Sequence, residues 1–379
     1  TRYFSSAASD VYKRQGWISG AFFFGYIFAT PFLVGLTDSY DSKKVYFISS
    51  LIGSIGLILF ALFANGFYSA LLMWSIVGAG FAGTYMPGLQ ILNERLDAKG
   101  KEKYVSVYTA FFGLGTATSF FILGILKEYN LDWSYSFIVV GFFQLLSGIP
   151  IILFSGPRIE IKPYIKFSGI FKILKSIYNV FKNKKAMPYI IGYGGHTYEL
   201  FGYRSWTFAC VVFLSSTYNV YLSNIFIANF LAIIGLTGIF SSIIGAQYCI
   251  GKNRPLIISY MGLICFFGSI ITAFSFWINL YLALLFIFIY NILIIMDSGS
   301  LTTGTVLNGS SQDRGSRLAL HSIIGFLGGA LGGPIVGLAL DSFGGENSKL
   351  SWSVGFVALG LGSLLSSYVL KKNSKYKLK

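Results

Sequence analysis

The sequence has few charged residues. Asp, Glu, Lys and Arg make up 11% of its 379 residues, whereas hydrophobic residues make up 54%. A soluble domain carries about 25% charged residues, so this chain has too few polar side chains to cover a water-facing surface. Apolar runs of about 20 residues, the length that crosses a bilayer, recur along most of the chain. The deficit in charge excludes a soluble globular protein and predicts an all-α, polytopic membrane protein.

Histidine and cysteine, frequent ligands and nucleophiles of enzymes, are scarce as well. Cys210, Cys249 and Cys265 all fall in apolar runs and no Cys-x-x-Cys pair occurs, so the sequence predicts neither a disulfide framework nor a zinc site. Neither a His-Glu-x-x-His motif nor a Gly-x-x-x-x-Gly-Lys-Ser/Thr loop is present. We therefore expect no metal, no cofactor, no direct use of ATP and no enzymatic activity. A membrane enzyme or a receptor stays open as an alternative.

The basic residues are distributed unevenly around eleven predicted transmembrane helices. Most of them lie in loops on one side, whereas the opposite loops contain only Lys127 and Lys349. Because cytoplasmic loops are enriched in lysine and arginine, this side and the C-terminus are predicted to be cytoplasmic. The net charge of +15 is then explained by topology, and we expect no nucleic-acid partner. The predicted spans are 16–36, 45–64, 68–90, 104–126, 133–155, 188–214, 222–249, 256–277, 280–307, 318–340 and 352–370.

An internal repeat relates the two halves of the chain. Leu92 and Asn93 recur as Leu307 and Asn308, 215 residues later, at equivalent loops. This offset covers six helices, so the halves have the same orientation and are parallel repeats. The first helix of the second half has no equivalent in the first half, which predicts that 11 helices of an expected 12 are present. Residues 1–15 are then interpreted as a non-native leader, the alternative being a native extracellular tail.

The sequence divides into five predicted segments. The linker contains "IKFSGIFKILKSIYNVFKNKK", in which apolar residues recur at helical spacing between lysines. A basic amphipathic helix of this kind suits the anionic inner leaflet, so membrane lipids are an expected partner. The segments are the leader 1–15, the N-terminal bundle 16–157, the basic cytoplasmic linker 158–186, the C-terminal bundle 187–372 and the cytoplasmic tail 373–379.

The loop "VGLTDSYDSKK" at 34–44 resembles a motif of a known transporter family. The family pattern runs approximately Gly-x-Leu-Ala-Asp-Arg-x-Gly-Arg-Lys, and Asp41 departs from it. With "GAGFAGTYMPGLQIL" at 78–92 and "DSGSLTTGTVLNGS" at 297–310, the chain is similar to the major facilitator superfamily of secondary transporters over about 16–372. The residues that match this gating motif are Leu36, Asp38, Lys43 and Lys44.

The resemblance implies the family's fold, in which two parallel, pseudo-symmetric helical bundles give alternating access to a central site. The spans of this chain would be family helices 2–6 and 7–12. The resemblance also implies that Asp38 latches the outward-open state by accepting hydrogen bonds from the exposed amides of the helix that begins near Gly315. An ordinary loop carboxylate is the alternative. The proton-antiporter motif of family helix 5 has no counterpart here, which argues against drug/proton antiport.

Five polar residues interrupt the apolar helices and form the predicted substrate or proton site. A charged side chain in lipid costs about 2.5–3.5 kcal/mol, so we expect these groups to line a central cavity. Arg204 would bind an anionic group, and Glu199 or Asp297 would exchange protons. The alternative is a structural ion pair of Arg204 with Asp297 or Glu199. The candidates are His196, Glu199, Tyr203, Arg204 and Asp297.

Glycine is abundant, with 44 residues. Small residues let transmembrane helices approach closely, and glycine and proline also permit bending. We therefore expect both packing and gating roles within the helices. The candidate packing or hinge residues are Pro87, Gly113, Gly329, Gly333 and Pro334.

These observations together predict a secondary active transporter in the inner membrane. It would move a small solute by alternating access, in symport with protons, with an organic anion as the candidate substrate. A proton-coupled exporter of amphiphilic compounds is the alternative. We expect a monomer, with the substrate, protons and lipids as its partners.

Overall fold

A computed structural model of the chain describes residues 18, 20–38, 40–96, 101–129, 131–157 and 170–374. The described residues fold into helices and contain no strand, which confirms the all-α fold class. The leader 1–15 and the first part of the linker lie outside them. The helices are α1 (Gly20–Thr37), α2 (Ser42–Phe63), α3 (Phe67–Ala82), α4 (Tyr85–Arg95), α5 (Lys101–Glu128), α6 (Trp133–Phe154), α7 (Ile170–Val180), α8 (Met187–Thr217), α9 (Asn224–Tyr248), α10 (Arg254–Ser275), α11 (Leu280–Ile295), α12 (Ser298–Leu307), α13 (Arg314–Ser342) and α14 (Lys349–Asn373).

Nine helical segments of the described chain are long and apolar enough to cross a membrane, which confirms a multi-pass membrane protein. Two of the nine are composite, since α3 with α4 and α11 with α12 each make one span. Helices α5 and α8 are also long enough to cross, with 28 and 31 residues. With them, the helices occupy the eleven predicted positions. The polar residues of α8, such as His196 and Glu199, lower its mean hydropathy.

Short polar side chains begin several of the helices, because the first amides of a helix have no partner within it. Asp41 accepts a hydrogen bond from the backbone N–H of Lys43 at the start of α2, at 3.0 Å. Asp132 accepts one from the backbone N–H of Ser134 at the start of α6, at 2.9 Å. This hydrogen bond lowers the pKa of Asp132 below its ordinary value. The loops thus end the spans at defined residues.

Two of the predicted spans are broken near their middle, although the sequence predicts continuous helices there. The first is interrupted at Gly83 and Thr84, whose amides bond to carbonyls only three residues back. The second is interrupted at Met296 and Asp297. There, α9 approaches so closely that a Cβ on Gly245 would lie 2.0 Å from the Met296 carbonyl oxygen. Under the predicted repeat of 215 residues, the two breaks fall at almost the same position of each half.

The described chain divides into two compact units. Unit 1 contains the described residues of Thr1–Leu96, Ile125–Tyr178 and Ser311–Ser322. Unit 2 contains Asp97–Gly124, Asn179–Ser310 and Ile323–Lys379. Most of α5 is therefore grouped with the helices that follow the linker, and the start of α13 with those that precede it. The division into bundles at the 158–186 linker stays a prediction.

Close backbone contacts hold the helices of each unit together. In unit 1, α2 packs against α3 and α6, and a Cβ on Gly80 would lie 2.3 Å from the backbone nitrogen of Gly53. In unit 2, α14 packs extensively against α8 and α10. A Cβ on Gly195 of α8 would lie 2.3 Å from the carbonyl oxygen of Gly362 in α14. Only glycine permits contacts this short, and they bring the polar residues of α8 against neighbouring helices.

Candidate functional site

The carboxyl group of Glu199, in the middle of α8, is completely buried inside unit 2. Its Oε1 accepts a hydrogen bond of 2.6 Å from the Tyr290 hydroxyl of α11, and the Cys265 thiol of α10 lies 3.4 Å from the same oxygen. Its Oε2 accepts a hydrogen bond from the Ser363 hydroxyl of α14. Within the described chain, Glu199 has no cationic partner. Four helices therefore meet at one carboxyl group whose partners are all neutral.

A second buried carboxylate lies at the break between α11 and α12. Asp297 Oδ1 is 2.8 Å from His196 Nδ1, an ion-pair distance when the imidazole is protonated. Both side chains are buried, and the ring of Tyr193 stacks on the imidazole with centroids 5.7 Å apart. The pair carries no net charge when it holds one more proton and a negative charge when it does not. The break between α11 and α12 thus brings an acid and a base of different helices into contact.

Arg204 faces a different group of helices. Its Nη1 donates a 3.2 Å hydrogen bond to Thr116 Oγ1 in α5, and its Cζ lies 5.2 Å from the centre of the Phe112 ring. Beside it is a cavity with about 20 Å³ open to water-sized molecules, which is room for roughly one water. A cation, hydroxyls and an amide meet an aliphatic wall here, and in this conformation the space is too small for an organic anion. The cavity is lined by Thr116, Tyr203, Arg204, Thr207, Leu231, Ile234, Gly235 and Asn291.

The rotation of α8 separates these groups. At about 100° per residue, His196 and Glu199 share a face, while Arg204 lies about 140° from Glu199. Asp297 contacts His196, and Glu199 contacts neutral donors, so neither carboxylate pairs with Arg204. Tyr203 lies between the groups, since it lines the Arg204 cavity and its ring meets that of Tyr290 at a centroid distance of 5.6 Å. The five candidates thus occupy two neighbouring environments, and their roles stay predictions.

Several residues of these environments are not evident from the sequence. Tyr290, Ser363 and Cys265 surround Glu199, and Thr116 and Asn291 border the Arg204 cavity. Each of them is neutral and sits in a helix rich in similar residues. They lie far from α8 in the sequence, so no periodic pattern of residues connects them with that helix.

A cluster of charged residues lies at the end of unit 1 that contains the gating motif. Arg95 Nη2 is 2.8 Å from Asp41 Oδ1, and Arg95 Nη1 is 3.1 Å from Glu94 Oε2. Glu94 is fully buried and also accepts hydrogen bonds from Ser42 at 2.9 Å and Gln90 at 3.1 Å. The ion pair therefore uses Asp41, which departs from the family pattern. It joins the start of α2 to the end of α4.

The predicted gating residues lie beside this cluster. Asp38 ends the turn Gly35–Asp38, and its side chain lies outside the described part of the structure, so its latch stays a prediction. Lys43 and Lys44 lie in the first turn of α2, with Lys43 half-buried and Lys44 exposed. Leu36 is half-buried. Their gating role is a prediction that the geometry neither requires nor excludes.

The candidate packing residues differ in how tightly they are surrounded. A Cβ on Gly113 would lie 3.0 Å from the Gly235 carbonyl oxygen, and one on Gly329 would lie 2.5 Å from the ring of Phe201. Gly333 has no neighbour closer than 3.8 Å to such a Cβ. Gly113 and Gly329 therefore suit close helix packing better than Gly333 does. Pro87 lies buried in the first turn of α4, and Pro334 lies exposed inside α13.

The linker contributes a short helix, α7, that packs on unit 1. Ser316 of α13 donates a 2.8 Å hydrogen bond to Ser176 of α7. Ile177 is buried while Leu174 and Tyr178 are exposed. One face of this helix thus contacts protein, and its other face carries apolar side chains that stay accessible.

Comparison with known proteins gives one family. The family model of the Major Facilitator Superfamily matches residues 5–310. A curated protein of Buchnera aphidicola subsp. Schizaphis graminum, described as an uncharacterized transporter, is 26% identical over 254 residues. That match covers 65% of this chain and 57% of the relative, so the chain spans less than two thirds of the relative's length.

Solved transporter structures share the fold. The fucose:proton symporter FucP of E. coli superposes with a TM-score of 0.68 at 14% identity, over 94% of this chain and 92% of that one. The human organic anion transporter MFSD10 also gives 0.68, at 15% identity, over 94% of this chain and 83% of that one. At such low identity these likenesses show the fold alone. They identify neither the substrate nor the coupling ion, which have to be inferred from the residues of the site.

Proposed function

Since the chain belongs to the Major Facilitator Superfamily, we propose that it is a secondary transporter that moves a small solute by alternating access. Proteins of this family and fold are transporters and not enzymes. The proposal is supported by the many membrane-spanning helices and by two broken spans at matching positions of the predicted repeat. Discontinuous spans are common where transporters bind solutes and ions near the middle of the membrane.

We propose that transport is coupled to protons and that Glu199 is the coupling group. A fully buried carboxyl group with only neutral partners has no cation to balance its charge, so taking up a proton removes a buried charge. The His196–Asp297 pair is the second candidate, because a proton on the imidazole would balance the charge of the buried Asp297 carboxylate. The fucose:proton symporter with the same fold is consistent with this type of coupling.

We propose that the substrate is a small organic anion that binds at Arg204. The observation that carries this proposal is a guanidinium group that lines a cavity together with the hydroxyls of Thr116 and Thr207. Arginine binds carboxylates through two parallel N–H groups. The cavity has room for about one water, so the organic acid would bind after the surrounding helices move apart, with its apolar part against Phe112 and the aliphatic wall. The organic anion transporter among the structural relatives accords with this substrate class.

Transport into proteoliposomes tests the proposal. The full chain should take up radiolabelled mono- or dicarboxylates faster when the pH is lower outside. Arg204→Ala should raise KM about 10- to 100-fold, the effect of losing a charged hydrogen bond worth roughly 1.5–3 kcal/mol. Glu199→Gln should abolish the stimulation by the pH gradient, while Glu346→Gln in an exposed loop should not. Wild-type uptake rates of carboxylates by both Arg204→Ala and Glu199→Gln would contradict the proposed site.

The alternative, a proton-coupled exporter of amphiphilic compounds, predicts a different result in the same assay. The aromatic rings of Phe112 and Phe201, 6.3 Å apart beside Arg204, would suit a larger apolar compound. An exporter would move a lipophilic cation or dye against the proton gradient and would ignore small carboxylates. Saturable uptake of a carboxylate down the proton gradient would exclude this alternative.

We also propose the membrane, the orientation and the oligomeric state of the transporter. We infer an inner-membrane monomer with a cytoplasmic C-terminus, because the basic residues lie in the loops of one side. The exposed apolar side chains of Leu174 and Tyr178 on α7 suit contact with the inner leaflet. Elution of the detergent-solubilised protein at the mass of one chain plus its micelle would support the monomer.

A further inference from the structure

A groove lies between α10 and α14 on the outer surface of unit 2. Its walls are formed mainly by Phe274 and Trp277 on one side and by Val354, Val357 and Leu361 on the other, and it encloses about 420 Å³. Phe274, Trp277 and Leu361 are exposed. Both helices are long and apolar enough to cross a membrane, so exposed apolar side chains between them face lipid.

A single lysine lies near one end of the groove. Lys349 begins α14, and its Nζ is 6.0 Å from the centre of the Trp277 ring. The same Nζ donates a 3.1 Å hydrogen bond to the Tyr218 hydroxyl and lies 4.3 Å from the centre of that ring. In the described parts of the chain, no carboxylate lies within ion-pair distance of it. The end of the groove thus has a cation without a counter-ion, held by two aromatic rings.

This arrangement matches the two parts of a phospholipid. Tryptophan and tyrosine favour the boundary between hydrocarbon and headgroups, so Trp277 and Tyr218 indicate where the groove leaves the hydrocarbon layer. A lysine at this depth extends its ammonium group toward the phosphates. The Ser353 hydroxyl, which accepts a 3.0 Å hydrogen bond from Trp277 Nε1, fixes the tryptophan ring beside the lysine.

We propose that this groove is a binding site for a phospholipid with an anionic headgroup. An acyl chain lies between α10 and α14, and the headgroup phosphate pairs with Lys349. The site is separate from the proposed transport site, because no residue of the groove also lines the Arg204 cavity. It therefore goes beyond the proposed function and is testable without a transport assay.

Fluorescence quenching by brominated lipids tests the site directly. The probes are phosphatidylglycerol and phosphatidylcholine with brominated acyl chains, added to the full chain in detergent. The signal of Trp277 is the difference between the wild type and Trp277→Phe. Phosphatidylglycerol should quench this signal at lower concentration than phosphatidylcholine. Lys349→Gln should reduce that preference about fivefold, the factor for roughly 1 kcal/mol per lysine near a lipid surface.

Matched variants separate the lipid site from general effects. Lys252→Gln removes another lysine that lies over an aromatic ring, 3.5 Å from the centre of Tyr248, but away from the groove, and should leave the preference unchanged. Lys349→Arg should retain it. Ala358→Phe, which fills the groove, should weaken quenching by both lipids. Equal quenching of the wild type by both lipids would overturn the proposal, as would a preference that survives Lys349→Gln.

Discussion

At the scale of single residues, the hydrogen bonds of Glu199 connect its protonation to the contacts between helices. An ionised carboxylate only accepts hydrogen bonds, and here it accepts them from Tyr290 on α11 and Ser363 on α14. A protonated carboxyl group also has a hydrogen to donate, and a hydroxyl that accepts it must turn its own hydrogen to another acceptor. A proton on Glu199 therefore changes how α8 is bonded to its neighbours.

The ion pair between Asp41 and Arg95 gives a prediction about stability. Asp41→Asn keeps the side-chain oxygen that caps α2 but removes the charge that faces Arg95. Asp41→Ala removes both. Because Arg95 keeps Glu94 as a second partner, we expect Asp41→Asn to lower the free energy of unfolding by only about 1 kcal/mol, and Asp41→Ala by roughly 1 kcal/mol more through loss of the cap.

Thermal unfolding in detergent, followed by circular dichroism, measures this difference. Lys44→Gln is the control, because Lys44 is exposed in the same turn and makes no described ion pair. Equal melting temperatures for Asp41→Asn and Asp41→Ala would show that the cap contributes nothing. A wild-type melting temperature for both would contradict the role of the ion pair as well.

The charged residues of the site could be predicted from the sequence, but their partners could not. Glu199, Arg204 and Asp297 are conspicuous because charge is costly in an apolar helix. Tyr290 and Ser363 are neutral, and similar residues occur in most spans of this chain. The residue that contacts Glu199 is determined by how helices far apart in the sequence pack together. A single sequence does not reveal that packing.

At the scale of elements, close contact between α8 and α14 depends on glycine. A Cβ on Gly195 would lie 2.3 Å from the Gly362 carbonyl oxygen, whereas one on Gly333 would have no neighbour closer than 3.8 Å. Gly195→Ala must push the helices apart, and we expect it to cost about 1–3 kcal/mol. Gly333→Ala should be neutral or should stabilise the protein by up to about 1 kcal/mol, since alanine favours helix.

A comparison of the melting temperatures of the two variants tests this prediction. Both replace a glycine in the interior of a helix of unit 2 by alanine, so their difference reports the close contact and not helix propensity. Equal melting temperatures for Gly195→Ala and Gly333→Ala would contradict the proposed backbone contact.

The positions of the spans could be read from the sequence, but the breaks within them could not. The runs 68–90 and 280–307 are mostly apolar and each long enough for one span, so the sequence predicts continuous helices. Gly83 and Asp297 mark positions where a helix can break, but glycine and aspartate also occur within unbroken transmembrane helices. The breaks arise where another helix approaches, as at Gly245 beside Met296, and such an approach is a tertiary feature.

At the scale of the whole molecule, the fold class follows from composition and the family from the resemblance of the loop at 34–44 and its companion segments, and each is confirmed. The grouping of helices into units is less predictable. Segments 97–124 and 311–322 belong to units formed mainly by the other half of the sequence. Position along the chain therefore does not decide which helices pack together.

The predicted topology can be tested with single cysteines. The three native cysteines are buried and should react slowly with a membrane-impermeant maleimide. Glu346→Cys in the loop before α14 should be labelled on intact cells, because positive loops stay in the cytoplasm. Lys252→Cys, between α9 and α10, should be labelled only after permeabilisation. The opposite pattern would invert the topology.

The broken span formed by α11 and α12 has a mechanical consequence. A continuous helix moves as one stiff rod, so tilting its cytoplasmic end displaces its other end as well. Two shorter rods joined at Met296 and Asp297 can tilt separately, and the joint holds the Asp297 carboxylate, which contacts His196. One end of the span can then change its angle while the other end keeps its place.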